Sequence, residues 1–189
     1  MFERLKMEKK LKILVVIFVS AVLLLAFLFP ARKKVYDLEK RTFSTQKSTT
    51  LYFKNTRAFY YWGQEMPEAG LTVYRYGKCL HSDSLAYLNF IIVHNWRADE
   101  VYIATEPSKA LLDAGPVTIR IGDALFPFHK ETMNNEVQYD LAAAIFNALL
   151  SDKPIILEQT GENLFGTAAN QEANLTVLED YFKWIYKYR

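Results

Sequence analysis

Cys79 and His81 stand two residues apart, and His94 and His129 complete the imidazole set of the chain. One thiolate and three imidazoles match, in type, the donors of a tetrahedral zinc centre. Such centres carry paired ligands at short spacing, CxxC or HxxxH. Here His94 and His129 each stand isolated, so the four side chains read as locally satisfied groups, with no metal and no cofactor expected. His81, Ser82, Asp83 and Ser84 supply the residue types of a hydrolase triad. A working triad is assembled from separate elements, and a nucleophile elbow announces itself as GxSxG, which this sequence lacks. The run reads as a polar turn; a hydrolase built on His81, Ser82 and Asp83 or on His129 is the least favoured reading.

Carboxylates fall in pairs at Glu65/Glu68, Asp99/Glu100 and Glu179/Asp180. Glycoside hydrolysis needs two carboxyls facing each other across a cleft, whereas these spacings suit turns and a helix surface. With seven glycines and no GxGxxG or Walker sequence, nucleotide binding has no support. No catalytic constellation emerges, and the chain is expected not to be an enzyme.

Aromatic residues are the unusual chemical resource: 13 Phe, 12 Tyr and 3 Trp. Phe59, Tyr60, Tyr61 and Trp62 are consecutive, and Tyr74, Tyr76 and Tyr102 fall on neighbouring expected strands. Side chains alternate faces along a strand, so two of the four consecutive rings must point away from the core. Tyr60, Trp62, Tyr74, Tyr76 and Tyr102 are therefore the candidate interaction surface, fit to anchor a partner protein or to stack on sugar faces. The competing reading is that helices cover one face and these rings pack beneath them. Asn174-Leu175-Thr176 has the form of a glycosylation sequon but falls inside an expected helix, where chance explains it.

The elements that must position these rings begin with a greasy run. Ile13 to Phe29 carries no charge, holds fourteen Ile, Leu, Val or Phe, and is closed by Pro30. Eighteen residues at about 1.5 Å each span about 27 Å, close to a ~30 Å hydrocarbon core. The reading is a transmembrane helix over 13–30 after a basic tail, 1–12. A cleaved signal peptide is disfavoured, because its apolar stretch is shorter and ends in small residues; a cut after Ala31 would place Phe29 at −3. The lipid bilayer is thus one expected partner. Residues 31–50 read as a juxtamembrane linker and 51–189 as one globular domain.

Charge follows the same division. Residues 1–50 carry 11 Lys/Arg against 4 Asp/Glu, and residues 51–189 carry 12 against 17. The basic half suits anionic lipid. The acidic half would be repelled by phosphate, so no nucleic acid is expected. Five cations precede the apolar run and five follow it closely, a tie under the positive-inside rule. The short basic tail is the costlier piece to translocate, which favours an extracytoplasmic domain. The single cysteine excludes an intramolecular disulfide.

Within 51–189, period-two patterning predicts strands at 51–55, 59–63, 71–77, 85–96, 101–105 and 117–121, with Gln64 to Gly70 as a break. The run 85–96 is the expected central strand, and 97–100 the turn of a hairpin. Helical spacing begins at Thr132, with Thr132 or Asn134 as cap and Val137, Leu141, Ile145, Ala148 and Leu149 as the apolar stripe. PIILE at 154–158 reads as a short strand. Leu175, Leu178, Phe182 and Ile185 mark a last helix within 168–186. The fold class is α+β: a mostly antiparallel sheet with two C-terminal helices packed on it. The function expected is that of a single-pass, signal-anchored accessory or assembly subunit whose domain binds another membrane or envelope protein. The alternative is a tethered module that uses its aromatic surface for glycan or peptide.

Overall fold

The computed structural model describes residues 12, 14–20, 38 and 40–186. The chain divides into two units, Met1–Tyr36 and Asp37–Arg189. Of the first, Lys12 and residues 14–20 are helical. No helix among the described residues is long and apolar enough to cross a membrane; most of the expected span at 13–30 lies outside them.

The second unit is α+β. Strands β1 (Tyr61–Met66), β2 (Leu71–Tyr76), β3 (Leu88–Asn95) and β4 (Glu100–Pro107) form an antiparallel meander in the order β1-β2-β3-β4. The tight turns follow from their residues. Between β1 and β2, Gly70 adopts φ 71°, and a Cβ there would lie 2.5 Å from the Arg97 side chain. Only glycine fits that position, and Arg97 in turn donates to the Pro67 and Glu68 carbonyls, tying two turns together. Between β3 and β4, the Asn95 side chain accepts from the Arg97 and Ala98 amides, while Asp99 takes φ 52°.

Helix α1 (Lys47–Tyr52) runs into a π-helical turn over Phe53–Arg57 and a 3-10 turn over Ala58–Tyr60. The expected strand at 51–55 is therefore corrected to helix. Its alternation covers too few residues to outweigh the four-residue spacing of the two positions buried there, Thr49 and Phe53. The expected strand at 59–63 starts later, at Tyr61, and runs on to Met66, so the break predicted over Gln64 to Gly70 is confined to the turn at 67–70.

After β4 come a short helix α2 (Lys109–Asp113), strand β5 (Val117–Ile121) and strand β6 (Ala124–Phe128). Next are helix α3 (Asn135–Leu150), strand β7 (Ile155–Leu157) and helix α4 (Ala168–Ile185). Asn134 caps α3 by accepting from the Val137 amide, and Thr167 caps α4 by accepting from the Asn170 amide. Strands β6, β5 and β7 form a second antiparallel sheet, so two sheets replace the single one expected. Helix α3 bridges them, touching both β4 and β5, and α4 lies along β3 and β4.

Both long helices cover one face of the first sheet. Phe90, Ile92, His94, Val101 and Ile103 point into that side and are buried, with Tyr61 and Tyr76 in register beside them. Trp184 of α4 stacks on Phe53 at 3.9 Å and donates to Thr50 Oγ1, pinning α1 to the helix layer. The segment read as linker is docked from Arg41 onward. Arg41 pairs with Asp140 at 2.6 Å, the Phe43 carbonyl accepts from the Val101 amide, and Ser44 bridges to Glu100.

Candidate functional site

Register fixes which residues share the face of the first sheet that no helix covers among the described residues. Trp62, Gln64 and Met66 of β1 align with Leu71, Val73 and Arg75 of β2, and these with Ile91 and Val93 of β3 and Tyr102, Ala104 and Glu106 of β4. Val73 is buried among its neighbours, the β3 and β4 members are half-buried, and the β1 members are exposed. Trp62 is 72% exposed, and its indole stacks over His81 with ring centres 6.3 Å apart. A polar strip crosses the same face: Arg75 Nε donates to Glu106 at 2.8 Å and its Nη1 to Gln64 at 3.0 Å. An apolar centre bordered by satisfied charges suits docking of another polypeptide.

The five predicted aromatic residues divide between two environments. Tyr60 and Trp62 are exposed, and the Arg57 guanidinium lies 5.1 Å above the Tyr60 ring. Tyr76 is buried against Tyr61, and Tyr74 packs edge-on to Phe53 at 5.2 Å; both belong to the helix-covered side. Tyr102 is half-buried, lies 5.2 Å from Phe43 and donates to the Glu100 carboxylate. Alternation alone could not say which face the helices claim. Of the exposed rings outside that set, which include Tyr52 and Trp96, the most exposed is Phe59, at 80% on the 3-10 turn beside Tyr60. Its place in the FYYW run was the available signal.

The titratable groups are dispersed. His94 is buried at the end of β3 against Trp184, and burial holds its pKa below the ordinary value, with Lys54 acting the same way. His129 follows β6 in the other sheet, its Nδ1 enclosed without a hydrogen-bond partner among the described residues. His81 is exposed over Trp62. Among the described residues no three His, Cys, Asp or Glu side chains converge as a metal site. Ser82 Oγ lies 3.1 Å from Ser84 Oγ, and the Ser82 amide donates to the Tyr87 hydroxyl, an arrangement that closes a turn. Glu179 pairs with Lys183 at 2.8 Å while Asp180 turns inward to Arg57, so this carboxylate pair diverges.

Cys79 is buried, and its thiol is pushed up to about 12 by that burial and by the charge of Glu106. Thiolate is the reactive species, so native protein at about pH 8 should be inert to a disulfide-exchange reagent and become reactive on unfolding. Rapid labelling of the native protein would show that this site is open.

Asn174 is fully buried, with its amide committed to Phe90, Asn89 and Asn170, so the sequon is closed to modification in the folded domain. Comparisons with protein-family models, with curated proteins and with solved structures find no match to the chain.

Proposed function

We propose that this chain is a single-pass membrane-anchored accessory or assembly subunit whose globular domain docks onto another membrane or envelope protein without catalysis of its own. The observation that carries the reading is the sheet face that no helix covers among the described residues: exposed Trp62 and Met66 beside half-buried Leu71, Ile91 and Val93, on a domain whose other face is closed by helices. Aromatic anchors such as Trp62 supply a large share of binding free energy where they become buried. The charge-free run Ile13–Phe29 supports the anchor, and the basic tail before it favours an extracytoplasmic domain. The glycan or peptide alternative draws on the same exposed Trp62 ring.

The test uses the full chain in its membrane. It should stay with the membrane fraction after alkaline extraction and migrate in mild detergent with a second, non-identical protein. Trp62→Ala combined with Leu71→Lys should release that protein by at least tenfold while membrane retention and circular dichroism are unchanged. A chain that purifies without any other protein would sink the reading. Quenching of tryptophan fluorescence by oligosaccharide, lost in Trp62→Ala, would move the conclusion to the glycan alternative.

A further inference from the structure

The two sheets have four lateral edges, and three are protected among the described residues. The outward amides of β4 at Val101 and Thr105 donate to the Phe43 carbonyl and to Gln138 Oε1. Strand β7 is paired along its free side with residues 162–164. Strand β6 carries Pro127, a residue that blunts an edge because it offers no donor. Strand β1 has none of these devices.

Its outward atoms are identified by the alternation of an antiparallel ladder. The Gly77 amide donates to the Tyr60 carbonyl, so residues 60, 62, 64 and 66 direct their backbone groups toward β2. Residues 61, 63 and 65 therefore face outward. The Tyr61 amide returns to the Ala58 carbonyl. The amides of Gly63 and Glu65, and the carbonyls of Tyr61, Gly63 and Glu65, have no partner among the described residues.

We propose that a second copy of this chain pairs there, β1 against β1 in antiparallel register about a two-fold axis at Gly63. The register follows from the sequence of the strand. Gly63 opposes Gly63, and each copy donates from Gly63 to the facing Gly63 carbonyl and from Glu65 to the facing Tyr61 carbonyl. That makes about four bonds and leaves the already-used Tyr61 amide out of the ladder. Trp62 opposes Gln64, and Tyr60 opposes Met66, an aromatic–thioether contact. Glu65 opposes Tyr61, about 14 Å along the ladder from its own counterpart at about 3.4 Å per residue, so like charges are kept apart. Moving the axis to Gln64 would also give about four bonds, but it would set each Glu65 against Gly63, about 7 Å along the strand from its counterpart, so charge repulsion selects the Gly63 axis. The product is a continuous eight-stranded sheet with both uncovered faces on one side, left open for the partner proposed above.

The experiment uses the full chain reconstituted in nanodiscs or detergent micelles. Facing residues at an antiparallel hydrogen-bonded pair have Cα atoms about 5.5 Å apart, within disulfide reach. A Cβ at Gly63 meets Tyr74 at an ordinary 3.5 Å, so the position accepts a side chain. Under mild oxidation Gly63→Cys should crosslink to a dimer in most of the protein, Glu65→Cys at least tenfold less. Gly63→Pro, which removes an outward donor and leaves the β1–β2 ladder intact, should convert a dimer to a monomer by mass measurement with unchanged circular dichroism. A wild-type monomer, or equal crosslinking at positions 63 and 65, overturns the proposal. So does a strand from another protein found crosslinked at position 63. Because the readout is self-association, its failure leaves the docking of a non-identical protein untouched.

Discussion

Replacing Arg57 by alanine is expected to destabilise the domain by about 3 kcal/mol at pH 7, the lower end of what a broken buried ion pair costs. Arg57 comes from the π-helical turn that ends α1, and its Nε lies 2.8 Å from both oxygens of Asp180 on α4. Asp180 is 2% exposed, and Tyr61 Oη donates to it at 2.8 Å. Burial lifts the Asp180 carboxyl above its ordinary 3.8, opposed by Arg57 and by the Tyr61 hydroxyl. Arg57 itself feels burial against its charge, and Asp180 more than offsets this. The lower end applies because the Arg57 side chain is a quarter exposed, so water screens part of its charge.

The pH dependence gives the prediction its edge. A carboxyl with a raised folded pKa binds a proton in the folded state that the unfolded state has already released. Its contribution is therefore greatest below 3.8 and is lost as pH rises through the folded value. Without Arg57 burial acts nearly alone, so the folded pKa climbs further and the window widens toward neutrality. Urea unfolding should show a deficit for Arg57→Ala that is largest at pH 7 and shrinks at about pH 5. Adding Asp180→Asn should recover much of it, because the buried charge is gone and an acceptor for Tyr61 remains. A deficit that is flat with pH would mean that Asp180 is not the group stranded.

That cluster joins residues 123 positions apart, and nothing local in the sequence announces it. What was legible was local. The apolar run at 88–95, the alternation of Val117, Ile119 and Ile121 and the cap at Asn134 each encode their element within a few residues. The 168–185 helix was legible from Leu178, Phe182 and Ile185 for the same reason. Strand β6 was missed because Pro127 argues against a strand, although Gly122-Asp123 between Ile121 and Ala124 is a two-residue hairpin signal. In α3 the stripe is right at Leu141, Ile145, Ala148 and Leu149, all buried, and wrong only at its start, where Val137 is exposed. It is also too narrow, since Tyr139, Ala142 and Phe146 are buried too. The assignment of rings to faces failed for Tyr74 and Tyr76 on a different ground. Period two says which residues share a face, and only the docking of Trp184 and Phe53 decides which face is the core.

The same distance in sequence separates the asparagines that complete the central strand. Strand β2 pairs with β3 over residues 92–95 alone, which leaves the 88–91 half of that edge without a partner strand, its Leu88 amide taken by the Leu164 carbonyl. Helix α4 substitutes for it. Asn174 Oδ1 accepts from the Phe90 amide at 2.7 Å, and its Nδ2 donates to Asn89 and to the Asn170 carbonyl. Asn170 links onward, accepting from the Leu80 amide at 2.8 Å and donating to Asn89 at 3.0 Å. Asn174→Leu keeps the bulk but orphans the Phe90 amide in a dry site and removes a donor from Asn89. Leaving such groups unmade costs about 1–3 kcal/mol each, so a loss of about 3 kcal/mol is expected by urea unfolding. Asn174→Asp should behave differently. It restores the acceptor but turns a lone pair on Asn89 and places a charge where burial disfavours it, so the deficit should exceed that of leucine at pH 7. Its folded pKa is raised, hence stability returns as pH falls and the protonated acid again donates. If both variants unfold within about 0.5 kcal/mol of the wild type, the range of an ordinary surface change, then water can reach this edge and the helix does not replace the missing strand.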